Sequence, residues 1–183
     1  MMNTQTTAQR MTSTRIRSVV TAALFIALTF LATMFIHIQL FPAAGGLVHL
    51  GNVPLFIAAI LFGKKQGAVA GAVGMALFDL TSGWSPWAPF TFVIVGLIGF
   101  AVGAIMENKE KHFYAWYALA MLAALVIKIG GYYVAEALIF GNWAAPVTSI
   151  PGNLVQIGVA AVATLPLIAA LRRILGAQGG TAA

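Results

Sequence analysis

Lysine and arginine are confined, with one exception, to four short clusters separated by long apolar runs. Arg10, Arg15 and Arg17 precede the first run, Lys64 and Lys65 follow the second, Lys109 and Lys111 follow the fourth, and Arg172 and Arg173 follow the sixth. Apolar stretches of this length cannot be covered by the little polar surface such a chain offers. In a bilayer they fold as helices, because a helix bonds its own backbone groups where water cannot. Composition agrees: 61% of the 183 residues are hydrophobic and 8% are charged, against about 25% charged in an ordinary soluble domain. With six spans, nine of the ten basic residues fall on one side, and the opposite loops carry none. The positive-inside rule then puts that side, and both termini, in the cytoplasm. Five or seven spans would scatter the charges across both sides. The expected fold class is an all-α integral membrane protein of six transmembrane helices with cytoplasmic N- and C-termini.

The spans are expected at residues 16–36, 47–63, 66–80, 90–106, 113–140 and 152–171, the third being short. Residues 1–15 read as a cytoplasmic tail, 16–175 as the six-helix substrate-binding domain and 176–183 as a flexible C-terminal tail. The run behind the basic N-terminal segment is too long for a signal-peptide core and lacks a cleavage site. Residues 37–46, with Pro42, Gly45 and Gly46, read as a loop, as do 81–89 and 141–151. Gly67, Gly71 and Gly74 in the third span and Gly96, Gly99 and Gly103 in the fourth are suited to close backbone approach.

Several functions are excluded or disfavoured. There is no cysteine, hence no disulfide, thiolate nucleophile or Cys-held metal. The net charge of +6 comes from scattered turns, without the basic patch a nucleic acid requires. No HExxH, GxSxG or GxxxxGK(S/T) motif occurs, so neither hydrolysis nor ATP binding is indicated, and no cofactor is implied. His37 and His49 read as loop or interface residues more readily than as metal ligands.

Asp79, Lys128 and Glu136 are the charges placed away from the basic ends, and ionisable groups within spans are costly enough to mark function. Lys128, Tyr132 and Glu136 recur every four residues and share a helix face, yet Lys128 and Glu136 stand about 12 Å apart along it, too far to pair. Lys128 therefore requires Asp79, backbone carbonyls or a ligand. A buried Lys128–Asp79 ion pair that fixes helix packing is the structural alternative to ligand binding. Asn153 and Gln156 lie three residues apart on one face and offer both donors and acceptors. Asn52 is either a helix cap or a ligand contact, and His49 is a further contact candidate beside it at the start of the second span. The outer loops carry Phe41, Trp84, Trp87 and Trp143, which serve either as interface anchors or, for Trp84 and Trp87 around Ser85 and Pro86, as a rigid aromatic cover for a flat ligand.

These residues resemble the substrate-binding S component of energy-coupling factor (ECF) vitamin importers, in particular the riboflavin-type S-component family. The likeness is carried by His49-Leu50-Gly51-Asn52-Val53-Pro54, the glycine-rich third span, Asp79-Leu80-Thr81-Ser82-Gly83, Trp87-Ala88-Pro89-Phe90-Thr91, and Pro151-Gly152-Asn153-Leu154-Val155-Gln156. A lysine frequent in that family near Val95 is absent. The resemblance implies a multi-pass protein of the bacterial plasma membrane that captures a vitamin or precursor from outside. It also implies docking, through the small-residue pair Ala23 and Ala27, onto a transmembrane T component with two ATP-binding subunits. One deep cation, paired amides and aromatic loops suit a hydroxymethylpyrimidine- or pyridoxine-like heterocycle, with riboflavin and pantothenate as alternatives. A membrane assembly factor, or a self-sufficient proton-coupled carrier using Asp79, Lys128 and Glu136, are the readings from other classes.

Overall fold

Residues 7–41 and 46–179 are described by the computed structural model, and helices account for most of them. They are α1 (Thr7–Phe35), α2 (Asn52–Phe62), α3 (Lys64–Thr81), α4 (Ala88–Met106), α5 (Phe113–Phe140) and α6 (Ile150–Gly179), with a 3-10 turn at Ala145–Ser149. The expected fifth span coincides with α5. The outer parts of the expected tails, residues 1–6 and 180–183, lie outside the described residues, as do residues 42–45 of the expected first loop.

Two expectations need correction. Residues 37–46 are not simply a loop: β1 (His37–Phe41) and β2 (Gly46–His49) form an antiparallel hairpin, pairing His37 with His49, Ile38 with Val48 and Gln39 with Leu47. The loop reading overlooked two short segments rich in Ile, Val, Leu and Phe, which pair with each other. Consequently the second helix starts at Asn52, five residues later than expected, and the fold is not purely helical.

Among the described residues, helices of span length and apolarity are four: Thr12–Phe35, Ala88–Met106, Phe113–Phe140 and Ala145–Ile174, the last including the 3-10 turn. Their outward surfaces are apolar, with Leu122 57%, Val126 64% and Val162 73% exposed, as lipid-facing positions must be. By contrast α2, at 11 residues, is about 16 Å long, half of a hydrocarbon core of about 30 Å. Protein covers most of it, though Phe62 at its end is 43% exposed. Leu55, Phe56, Ala58 and Ala59 are almost wholly buried, and α2 packs on α1, α3, α4 and α6. A short helix hydrophobic on every face belongs in a core.

The tightest contact joins α3 to α4. A Cβ on Gly99 would run into the backbone of Gly67, and one on Gly103 into that of Lys64. A Cβ on Gly67 would lie 2.9 Å from the carbonyl oxygen of Gly99. The helices therefore touch backbone to backbone. Nearby contacts bring the basic clusters to one end of the bundle. Lys64 pairs with Glu107 at 2.8 Å, Gln66 donates to the Ser18 hydroxyl at 2.7 Å, and the Arg172 guanidinium lies 4.5 Å from the Phe113 ring centre. Being exposed, the Lys64–Glu107 pair marks the arrangement more than it stabilises it.

Replacing Gly99 by Leu should prevent the α3–α4 seam from closing, whereas Gly130, with nothing within 4 Å of its would-be Cβ, should accept Ala. We expect Gly99→Leu to lose the monodisperse folded protein in detergent and Gly130→Ala to retain it, as read by size-exclusion chromatography and thermal melting.

Candidate functional site

The end opposite the basic clusters is where α3 turns into α4. After Thr81 the chain leaves the helix through Gly83, whose φ of +84° is a conformation side chains rarely adopt. The Trp84 N–H then donates to the Asp79 carbonyl at 3.1 Å, and the Trp87 N–H to the Trp84 carbonyl at 2.9 Å. This tight return sets Trp84 and Trp87 edge to face, ring centres 5.1 Å apart, and places Trp87 against Phe140 at 5.8 Å. Both tryptophans are partly covered, whereas Trp143 is 60% exposed and packs near Tyr133. The side chain of Phe41 lies outside the described residues.

Beneath the tryptophans is a pocket that draws on five parts of the chain: the hairpin, α3, the α3–α4 turn with the start of α4, α5 and α6. Of the nine residues singled out from the sequence as ligand contacts, it gathers eight. Asp79, Trp84, Trp87, Lys128, Tyr132, Glu136, Asn153 and Gln156 all line it. Its empty space, open solvent at the mouth included, is about 440 Å³. The ninth residue, Asn52, is elsewhere. It is fully buried at the start of α2, and neither atom of its side-chain amide has a partner.

Lys128 dominates the pocket electrostatically. It is 2% exposed, and its Nζ lies 4.7 Å from the centre of the Tyr132 ring, close enough for a cation–π attraction. Among the described residues the single ion pair within 4 Å is Lys64–Glu107, so Lys128 contacts neither carboxylate directly. The packing pair with Asp79 is therefore not formed. Asp79 is 8% exposed, and its Oδ2 is buried without a hydrogen bond. Glu136 is better held, since Ser149 donates its hydroxyl to Oε2 at 2.7 Å.

Neutral groups complete the wall. The Thr91 and Tyr132 hydroxyls lie 3.1 Å apart, and Gln156 Nε2 donates to the His49 carbonyl at 3.3 Å, tying α6 to the hairpin. His49, a further contact candidate from the sequence, also lines the pocket, as do Phe78, Leu47 and Thr91, which were not sequence candidates. Thr91 was legible in principle, standing one helical turn after Trp87. His49 stands on β2, and the pairing of β1 with β2, not a helix start, aims it at the pocket. Its Nδ1 accepts from the Gly51 N–H at 3.2 Å. Burial first, then the charge of Lys128 and then His37, holds the ring well below its ordinary pKa. His49 is thus neutral, with its proton on Nε2.

Fold and pocket together define a helical membrane protein built around a small-solute site. Residues 13–173 match the family described as ECF-type riboflavin transporter, S component, and the chain belongs to that family. S components are the substrate-binding members of transporters and not enzymes. A thiamine precursor transporter, HmpT, of Lactococcus lactis subsp. cremoris is 29% identical over 147 residues, which are 80% of this chain and 82% of that protein. An uncharacterized protein of Pyrococcus woesei is 32% identical over 124 residues, 68% of this chain and 80% of its own length. The solved S component of a bacterial ECF transporter superposes with a TM-score of 0.69 at 19% identity, over 88% of this chain and 98% of that one. At that identity the likeness concerns the fold alone.

A desolvated ammonium without an anionic contact destabilises the empty protein. Lys128→Met, which keeps the volume and removes the charge, should therefore raise the melting temperature of the ligand-free protein. A structural ion pair predicts the reverse, a loss of about 3–5 kcal/mol on removal of one partner. Thermal melts of the two proteins side by side distinguish these outcomes.

Proposed function

We propose that this chain is the capture subunit of an ECF-type importer for a small, flat, uncharged heterocycle, of which hydroxymethylpyrimidine and pyridoxine are examples. The observation that carries this reading is the buried Lys128 ammonium, which has a π-face beside it and no carboxylate within 4 Å, in a pocket walled by two tryptophans and two amides. A ligand supplies the missing acceptor. Two carboxylates against one ammonium disfavour the anionic pantothenate. That HmpT is described as a thiamine precursor transporter supports the same substrate class.

On this reading all six helices cross the bacterial plasma membrane, with the basic ends in the cytoplasm and the pocket open to the outside. The helix directions support this, because the contacts at Ser18, Lys64 and Arg172 gather the basic turns at the end away from Trp84 and Trp87. Although α2 is too short to span a bilayer by itself, it is mostly enclosed by protein and continues outward as the hairpin. Delivery then requires a T component and two ATP-binding subunits. Ala23 and Ala27 are exposed along one face of α1, a small-residue strip on which another helix can pack closely.

Ligand-induced stabilisation tests capture directly, since a ligand at a hundredfold over its Kd adds about 2.7 kcal/mol. Across a panel of B vitamins and precursors, we expect selective stabilisation by a one-ring heterocycle. Lys128→Ala and Asn153→Ala should weaken binding while leaving a folded protein; unchanged affinity in both would remove the proposed site. If no compound stabilises a preparation shown to be folded, an assembly role becomes the better reading.

Docking is separable from capture. Ala27→Trp should retain ligand binding by the isolated subunit and reduce co-purification with the T component and ATPases at least tenfold. Co-purification at the wild-type level would place the docking face elsewhere.

A further inference from the structure

Resting on the capture reading above, we infer that Asp79 is the selectivity residue of the pocket and that it requires a ligand with an N–H donor beside a ring nitrogen, the amidine edge of an aminopyrimidine. Three groups on different elements carry this. From α3, Asp79 presents a buried carboxylate oxygen, Oδ2, with no hydrogen-bond partner. From α5, Lys128 presents a buried ammonium that is not within 4 Å of that carboxylate. From the hairpin, His49 accepts the Gly51 N–H at Nδ1, so its neutral ring can only donate at Nε2.

The pocket thus combines an acceptor that lacks a donor with donors that lack an acceptor. A ligand bearing only acceptors would leave Asp79 unpaired, and one bearing only donors would leave Lys128 unpaired. Each mismatch carries the full penalty of a buried polar group deprived of its partner. Such sites discriminate more sharply by a missing hydrogen bond than by shape. An exocyclic amine donating to Asp79, with the neighbouring ring nitrogen accepting from Lys128, satisfies both sides. Glu136 differs in that its Oε2 accepts from Ser149, whereas Asp79 Oδ2 is buried without a partner. Trp84 and Trp87 cover the ring whatever its substituents, so they contribute affinity without this selectivity.

The test compares 4-amino-5-hydroxymethyl-2-methylpyrimidine with its 4-oxo analogue, whose ring N–H and carbonyl reverse the donor and acceptor positions. Binding to the purified full chain is followed by tryptophan fluorescence and by thermal shift. We expect the oxo compound to bind on the order of a hundredfold more weakly. Asp79→Asn, whose amide can donate as well as accept, should narrow or invert that preference. Affinities within about threefold of each other in the wild-type protein would overturn the inference without need of the variant. Binding of pyridoxine or riboflavin but of neither pyrimidine would also overturn it and leave capture standing. A folded preparation that binds none of these heterocycles would overturn both.

Discussion

The close approach of α3 and α4 is the constraint on which the rest of the molecule depends. Gly67 against Gly99 and Lys64 against Gly103 bring the two backbones into contact, and in a membrane such packing, rather than hydrophobic exclusion from water, holds helices together. Because the seam begins at the basic end, it also fixes how the chain reverses at the other. Asp79, Trp84, Trp87 and Thr91 are four side chains along one return, and their relative positions follow from how closely their helices sit. The same glycine-lined surface makes room for the neighbours. Gly71 faces Leu55 of α2 and Val95 of α4, and Gly74 faces the Ile26 carbonyl and Thr29 of α1.

Within that frame the pocket is an exception to the economy of the core. The middle of the bundle is apolar, with Phe56, Ala58, Val95, Ile98 and Ala124 buried, and its backbone groups are met by the helices themselves. At the pocket the chain instead buries an ammonium and two carboxylates in the same region without pairing them directly. Local rules of stability are broken where a partner is to be supplied from outside. The unpaired Oδ2 of Asp79 and the cation beside Tyr132 belong together in this respect. Each leaves a buried polar group without a direct partner in the empty protein, which costs stability.

Different physical signals were legible to different degrees. Lys128, Tyr132 and Glu136 could be grouped from helical spacing alone, because a helix fixes which residues share a face within a few turns. Asn153 and Gln156 were found in the same way. The hairpin was missed because its strands are four and five residues long, too short for periodicity to speak, and because turn-forming residues dominate the segment. His49 was therefore offered as a contact from the start of a helix, whereas its orientation depends on the pairing of β1 with β2. Asn52 went the other way. Its neighbours in sequence suggested a cap or a contact, whereas the fold buries it with both amide atoms unpartnered, and nothing in the structure explains its presence there.

Composition and charge distribution determined by themselves that this chain enters a membrane as a helical bundle with its basic turns together. Those are properties of how each segment meets lipid or water, and they do not depend on which helices are neighbours. Family membership was legible for a related reason, since its motifs cluster in the contiguous stretch from His49 to Gly99 and at the start of α6. What only the tertiary structure decided is which charges touch. Whether Lys128 pairs with Asp79 is a matter of ångströms across the gap between α3 and α5, set by glycine contacts with α4 and by the turn at Gly83. No local pattern encodes that distance, because it is the sum of packing interactions made along the whole bundle.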